Sequence, residues 1–138
     1  MSYLLDTNVL SETLRTKPDQ NVLEWLSKVP SNSLYISVLT LGEIRKGIEK
    51  LGRGTKKNKL VLWLEHDLKN WFGDHVLDIN SEVADRWGHL MAQSKTPIPA
   101  VDALIAASAL VFNLKLVTRN ISDFQFPALE VINPWDEG

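Results

Sequence analysis

The chain has 138 residues, 44% of them hydrophobic and 23% charged, with a formal net charge of −2 and no cysteine. That length suits one domain spanning residues 1–138 with a real core and is too short for two ordinary ones. The lack of cysteine excludes a disulfide framework, a thiolate zinc site and a cysteine nucleophile.

Residues 3–5 form a short apolar run that predicts a buried strand, broken at Asp6-Thr7-Asn8, whose polar side chains suit the cap of a helix running through Leu10, Leu14 and Arg15. A second helix is expected over 19–29, closed by Pro30, and Leu34-Tyr35-Ile36 reads as a strand. Ser37 suits the N-cap of the next helix, whose apolar residues Leu41, Ile44, Ile48 and Leu51 recur at three and four. Glu43 lies off that stripe, and its spacing from Thr40 also fits a capping box. Residues 56–72 predict one long helix. Five consecutive apolar residues, 60–64, cover every side of it, which suits either a deeply sandwiched helix or a surface that meets a second chain.

A strand near 76–79 and a helix through Val83, Trp87, Leu90 and Met91 follow. The stiff loop Lys95-Thr96-Pro97-Ile98-Pro99 then delivers a helix over 100–113 with Asp102 in its opening turn, where the helix dipole alone would also favour a carboxylate. Small residues (Ala103, Ala106, Ala107, Ser108, Ala109) allow close approach to that helix. Strands at 115–118 and 131–132 complete the pattern, separated by the polar loop Arg119-Asn120-Ile121-Ser122-Asp123. Strands alternating with helices predict an α/β fold, an open parallel sheet with helices on both faces.

Four carboxylates fall at junctions of this pattern: Asp6 after the first strand, Glu43 and Asp102 in helices, and Asp123 after a late strand. A parallel α/β sheet can aim such acids into the crevice beyond the carboxyl ends of its strands. Gathered there without cationic partners they repel one another and call for a positive ion. With no cysteine and no paired histidine, a hard divalent cation, Mg²⁺ or Mn²⁺, fits best. His66, His75 and His89 have no metal-ligand spacing and read as surface or packing residues, as do most of the five tryptophans.

Charge is unevenly spread. Residues 45–59 carry seven bases (Arg45, Lys46, Lys50, Arg53, Lys56, Lys57, Lys59) against Glu49, a local +6 that leaves −8 for the rest. Such a run is a solvated helix end in the plain reading. Beside an acidic metal pocket it suits a basic rim that grips a nucleic-acid backbone, through Lys46, Lys50, Arg53, Lys56, Lys57 and Lys59. The start Met1-Ser2-Tyr3-Leu4-Leu5-Asp6 lacks a basic n-region and meets a carboxylate too early for a signal peptide, and no apolar run reaches membrane-spanning length, so a cytoplasmic protein is expected.

The motifs Leu4-Leu5-Asp6-Thr7-Asn8, Ile36-Ser37 with Glu43, Ile98-Pro99-Ala100-Val101-Asp102 with Ile105-Ala106-Ala107, and Val117-Thr118-Arg119-Asn120 with Asp123-Phe124 together resemble the PIN-domain nucleases. The resemblance spans the chain in order. More narrowly, the chain is similar to the VapC and FitB ribonuclease toxins of toxin–antitoxin pairs, with Asn133-Pro134-Trp135 similar to the FitB branch. This resemblance implies a parallel sheet of four or five strands and a metal held by Asp6, Glu43 and Asp102. The fourth acid falls at Asp123 or at the position of Asn120. Asp123 is favoured, with Asn120 as a support, Thr7 and Thr118 as hydroxyls orienting carboxylates or water, and Asn8 as a structural cap. It further implies a Mg²⁺-dependent endoribonuclease, a homodimer, and inhibition by a small antitoxin that alone contacts DNA. Two rivals stand beside it. A phosphohydrolase using Asp6 as nucleophile wants a second acid where Asn8 stands, and a catalytically silent module would merely scaffold a DNA-binding partner.

Overall fold

Side-chain alternation along the strands divides the molecule into two cores. In β1 (Tyr3–Leu5) Leu5 joins an apolar cluster on one face and Leu4 a second cluster on the other. In β2 (Leu34–Ser37) Leu34 and Ile36 join the first cluster and Tyr35 packs against the second. Successive residues of an extended chain point to opposite sides, so a strand apolar at both phases must be covered on both. The computed structural model describes residues 1–136. β3 (Val76–Leu77), β4 (Lys115–Val117) and β5 (Val131–Ile132) complete a five-stranded sheet of order β3-β2-β1-β4-β5, with every neighbouring pair parallel.

On the first face lie α1 (Thr7–Glu12), α2 (Gln20–Lys28), α3 (Val38–Glu49), α4 (Thr55–Leu62) and α5 (Leu68–Phe72). They bring Val9, Leu10, Val22, Ile44, Ile48, Leu68 and Phe72 to the core around Leu5. On the second face lie α6 (Ser81–Gln93) and α7 (Ala100–Val111). Ala103, Ala106, Ala107 and Ala109 of α7 are fully buried, and the last three share one cluster with Val83 and Leu90 of α6, the close approach their small side chains allow. Side-chain caps start four helices: Asp6 for α1, Asp19 for α2, Ser37 for α3 and Asn80 for α6.

Three local expectations are corrected. α1 stops at Glu12 instead of reaching Arg15, because the Thr13 hydroxyl takes the Leu10 carbonyl at 2.6 Å and the next amides tighten to i→i−3 bonds. The Thr40 to Glu43 capping box does not form. Ser37 caps α3 through the Leu39 N–H, while Thr40 is buried. The long helix expected over 56–72 is broken by a wide π-type turn, Trp63–Asp67, before α5 ends at Gly73 with φ 52°, a left-handed value that glycine adopts freely. That turn shifts the register, so that Leu60 and Val61 precede a separate buried row of Leu64, Leu68 and Phe72; Leu62 is left outside at 57% exposure.

Candidate active site

The chain turns back across β1, placing β2 and β3 on one side and β4 and β5 on the other. The carboxyl ends of β1 and β4 therefore flank a topological switch point, the place where open α/β sheets bind ligands. Asp6 leaves β1 there. Its amide continues the ladder to the Val117 carbonyl at 2.9 Å, its Oδ1 accepts the Thr7 N–H at 2.9 Å, and its Oδ2 accepts the Thr118 hydroxyl at 2.8 Å. Asp6 thus caps α1 while remaining tied to the end of β4. Thr7 extends the scaffold sideways: its hydroxyl donates to Glu43 Oε1 at 2.9 Å, linking α1 to α3.

Asp102 occupies the first turn of α7, half-buried, and Asp123 lies exposed in the short 3₁₀ turn Ile121–Phe124. Both line a cleft of about 280 Å³ walled by Pro97, Pro99 and Phe126. The electrostatics join all four acids. Burial pushes the Asp102 carboxyl up from its ordinary value, and the charges of Asp123, Asp6 and Glu43 push it further. Asp6 is also raised, chiefly by burial; bonds from Thr118 and Thr7 pull it back, and Asp123 adds repulsion. None of the four has a Lys, Arg or His within ion-pair distance among the described residues.

The donor set is therefore all oxygen, negatively charged and unneutralised, which fits a hard divalent cation and not a soft one. Among the described residues no three of these side chains stand close enough to share one ion in this arrangement.

The hydroxyls of Thr7 and Thr118, expected to orient carboxylates or water, donate to Glu43 and Asp6 respectively. Asn120 contributes through its main chain, its N–H donating to Thr118 Oγ1 at 3.1 Å and its carbonyl accepting the Asp123 N–H at 3.1 Å. Asn8 is not a helix cap, which is a correction. Its Nδ2 donates to Thr118 Oγ1 at 3.2 Å and to Asp6 Oδ2 at 3.4 Å, and its Oδ1 accepts the Arg119 N–H. Of the basic run, Lys46 on α3 and Lys50 at its C-cap follow Glu43 by three and seven residues and so share its helix face. Arg53, Lys56 and Lys59 are exposed, whereas Lys57 is drawn to Glu49 at 3.7 Å and Arg45 to Glu65 at 2.8 Å. His75 is a packing residue, stacked on Tyr35 with ring centroids 4.1 Å apart.

The PIN domain family profile matches residues 3–125, from β1 through the loop that carries Asp123. This chain belongs to the PIN-domain family. Toxin FitB of Neisseria gonorrhoeae is 36% identical over 97% of this chain and 99% of its own length. VapC ribonuclease Y4jK of Sinorhizobium fredii is 33% identical over 96% and 97%. Among solved structures, FitAB bound to the IR36 DNA fragment matches with a TM-score of 0.87 at 33% identity, covering 96% of this chain and 95% of that one. The PIN fold is thus shared along nearly the whole chain.

Proposed function

We propose that this PIN-domain protein is a Mg²⁺- or Mn²⁺-dependent endoribonuclease, the toxin of a toxin–antitoxin pair, cutting RNA to leave a 5′-phosphate and a 3′-hydroxyl. The observation that carries this reading is the set of four uncompensated carboxylates sharing one field at the switch point. Relatives at 33% to 36% identity bearing ribonuclease and toxin names support it. In this reading Asp6 and Asp102 would hold the cation directly, and Asp123 would hold its bound water or a second ion. A bound divalent ion supplies a lowered pKa for water and neutralises charge developing on the phosphate. Thr118 and Asn8 fix Asp6 Oδ2, and Thr7 fixes Glu43, which orients or deprotonates the attacking water. Single-stranded or looped RNA suits the crevice better than a stiff duplex.

The inhibitor's seat lies beside Glu43. Thr7 and Glu43 open onto a groove of about 300 Å³ between α1, α3 and α4, walled by Leu14, Ile48, Leu60 and Trp63. It suits the apolar face of an amphipathic antitoxin segment whose Arg reaches the acids. Leu23, Trp25 and Leu26 of the neighbouring α2 are half-buried and do not line this groove, and Trp25 and Leu26 pack against the core. DNA contact, in this reading, is made through such a partner; the similar FitAB assembly is bound to a DNA fragment. A homodimer would use the outer side of the 55–72 region, where Leu62 and Trp71 are exposed. No helix of the described residues is long and apolar enough to cross a membrane, consistent with a cytoplasmic toxin.

The test is cleavage of total RNA by the purified, partner-free protein with Mg²⁺, Mn²⁺ or EDTA, with the cut ends mapped. Metal-dependent cleavage that disappears in Asp6→Asn is expected. Absence of cleavage with either ion would favour the scaffold reading, and an acyl-phosphate on Asp6 after treatment with a small phosphodonor would favour the phosphohydrolase.

A further inference from the structure

One cation whose main chain borders the acidic crevice is held without an acidic partner among the described residues. Arg119 follows Thr118 at the end of β4, and its main chain is fixed by the bond from its N–H to Asn8 Oδ1 at 3.3 Å. Asp6 and Asp123 lie on segments adjoining this one, yet its guanidinium forms no ion pair among the described residues. It lies instead over the ring of Trp135, 5.2 Å from the centroid. Stacking occupies the flat face of a guanidinium and leaves its in-plane N–H donors free.

The ring beneath is itself anchored. The Trp135 N–H donates to Asn133 Oδ1 at 2.9 Å, its carbonyl accepts Asn21 Nδ2 at 2.8 Å, and its ring packs against the first core. The ordering of a long, flexible side chain is thus settled before any ligand arrives. Arg119 is exposed and is not among the groups that shift the Asp6 or Asp102 carboxyl, so its charge does not neutralise the acids and offers, next to their crevice, a landing point to an anion that they would otherwise repel. Planar bidentate recognition by Arg suits a phosphate.

We propose that Arg119, positioned by Trp135, grips a phosphodiester of single-stranded RNA next to the one being cut. This rests on the RNA-cleaving reading and adds to it a specific phosphate subsite on the Trp135 side of the crevice, apart from the basic run. Arg119 touches substrate in this account, and Trp135 acts through it.

The experiment compares Arg119→Ala, Arg119→Lys, Trp135→Leu and Trp135→Phe in steady-state RNA cleavage. It also measures binding of a fluorescein-labelled single-stranded oligoribonucleotide across salt in an Asp102→Asn background, where the strand stays intact. Arg119→Ala should raise KM about tenfold with kcat nearly unchanged, and should make the log–log salt slope shallower by about 0.7, the value for one phosphate. Arg119→Lys should restore the slope and only part of the KM. Trp135→Leu should raise KM while keeping the slope, and Trp135→Phe should recover most of the loss. An unchanged KM and slope in Arg119→Ala, with only a lower melting temperature, would make the pair a staple for the chain end and overturn the proposal. A fall in kcat alone, or weakened affinity for the antitoxin alone, would overturn it too. The binding arm reads Arg119 independently of turnover, so a wild type that fails to cleave RNA counts against the nuclease reading, while an unchanged slope counts against the subsite.

Discussion

At the scale of single residues, Asp102 is informative because its surroundings oppose its charge. It sits in the first turn of α7, where the helix dipole favours a carboxylate, yet burial and the acids at 123, 6 and 43 raise its pKa on balance. A raised folded pKa means the fold binds this proton more tightly than the unfolded chain does. Its favourable contribution is full below the unfolded value, about 3.9, and is lost as pH rises through the folded value. The metal-free wild type should therefore lose stability relative to Asp102→Asn as pH climbs from about 4 through the weakly acidic range. Paired thermal melts across pH check this; a constant difference would contradict it. Thr118 makes a second case, since its hydroxyl donates to Asp6 and accepts from Asn8 and the Asn120 N–H. Thr118→Val should cost about 1–3 kcal/mol by leaving these groups unpaired, and Thr118→Ser much less, as read by urea unfolding. Asp6, Asp102 and Asp123 were legible in the sequence because they fall beside a strand end or in the opening turn of a helix, and Glu43 because it lies off the apolar stripe of α3. Asn8 was not, because its partner Thr118 lies 110 residues away, and local pattern offers a capping role instead.

At the scale of elements, strand and helix alternation was legible because the central strands are apolar at both phases and most helices carry a cap or an apolar stripe. The break at Trp63–Asp67 was not: an unbroken apolar run cannot show where one buried row gives way to another. The basic stretch was legible as charge but not as pairing. Lys57 and Arg45 face Glu49 and Glu65, so the residues available to a phosphate backbone are Lys46, Lys50, Arg53, Lys56 and Lys59. Neutralising Lys46, Lys50 and Lys56 together should flatten the salt dependence of RNA binding, by about 0.7 in log–log slope for each phosphate no longer gripped, with slow turnover retained. Lys57→Gln should change it little. Equal effects from all four positions would mean that the Glu49 pairing does not restrain Lys57.

At the scale of the molecule, the sheet order brings Asp6, Glu43 and Asp123 near enough to Asp102 for their charges to raise its pKa, while the groove over Leu14, Ile48, Leu60 and Trp63 is also lined by Thr7 and Glu43. A partner seated in that groove with an Arg among the acids competes with a divalent ion for one negative field. Inhibition by the antitoxin should therefore weaken as Mg²⁺ rises, and a partner with that Arg changed to Ala should bind but inhibit poorly. Inhibition independent of Mg²⁺ would place the block elsewhere. All of this depends on the four carboxylates acting as a single cation site, which a calorimetric titration of the metal-free protein with Mn²⁺ reads without any need for turnover. Saturable binding is expected, with proton release in weakly acidic buffer, a higher melting temperature, and affinity at least about tenfold weaker in both Asp6→Asn and Asp102→Asn. Equal Mn²⁺ affinity in the wild type and both variants would contradict a shared site.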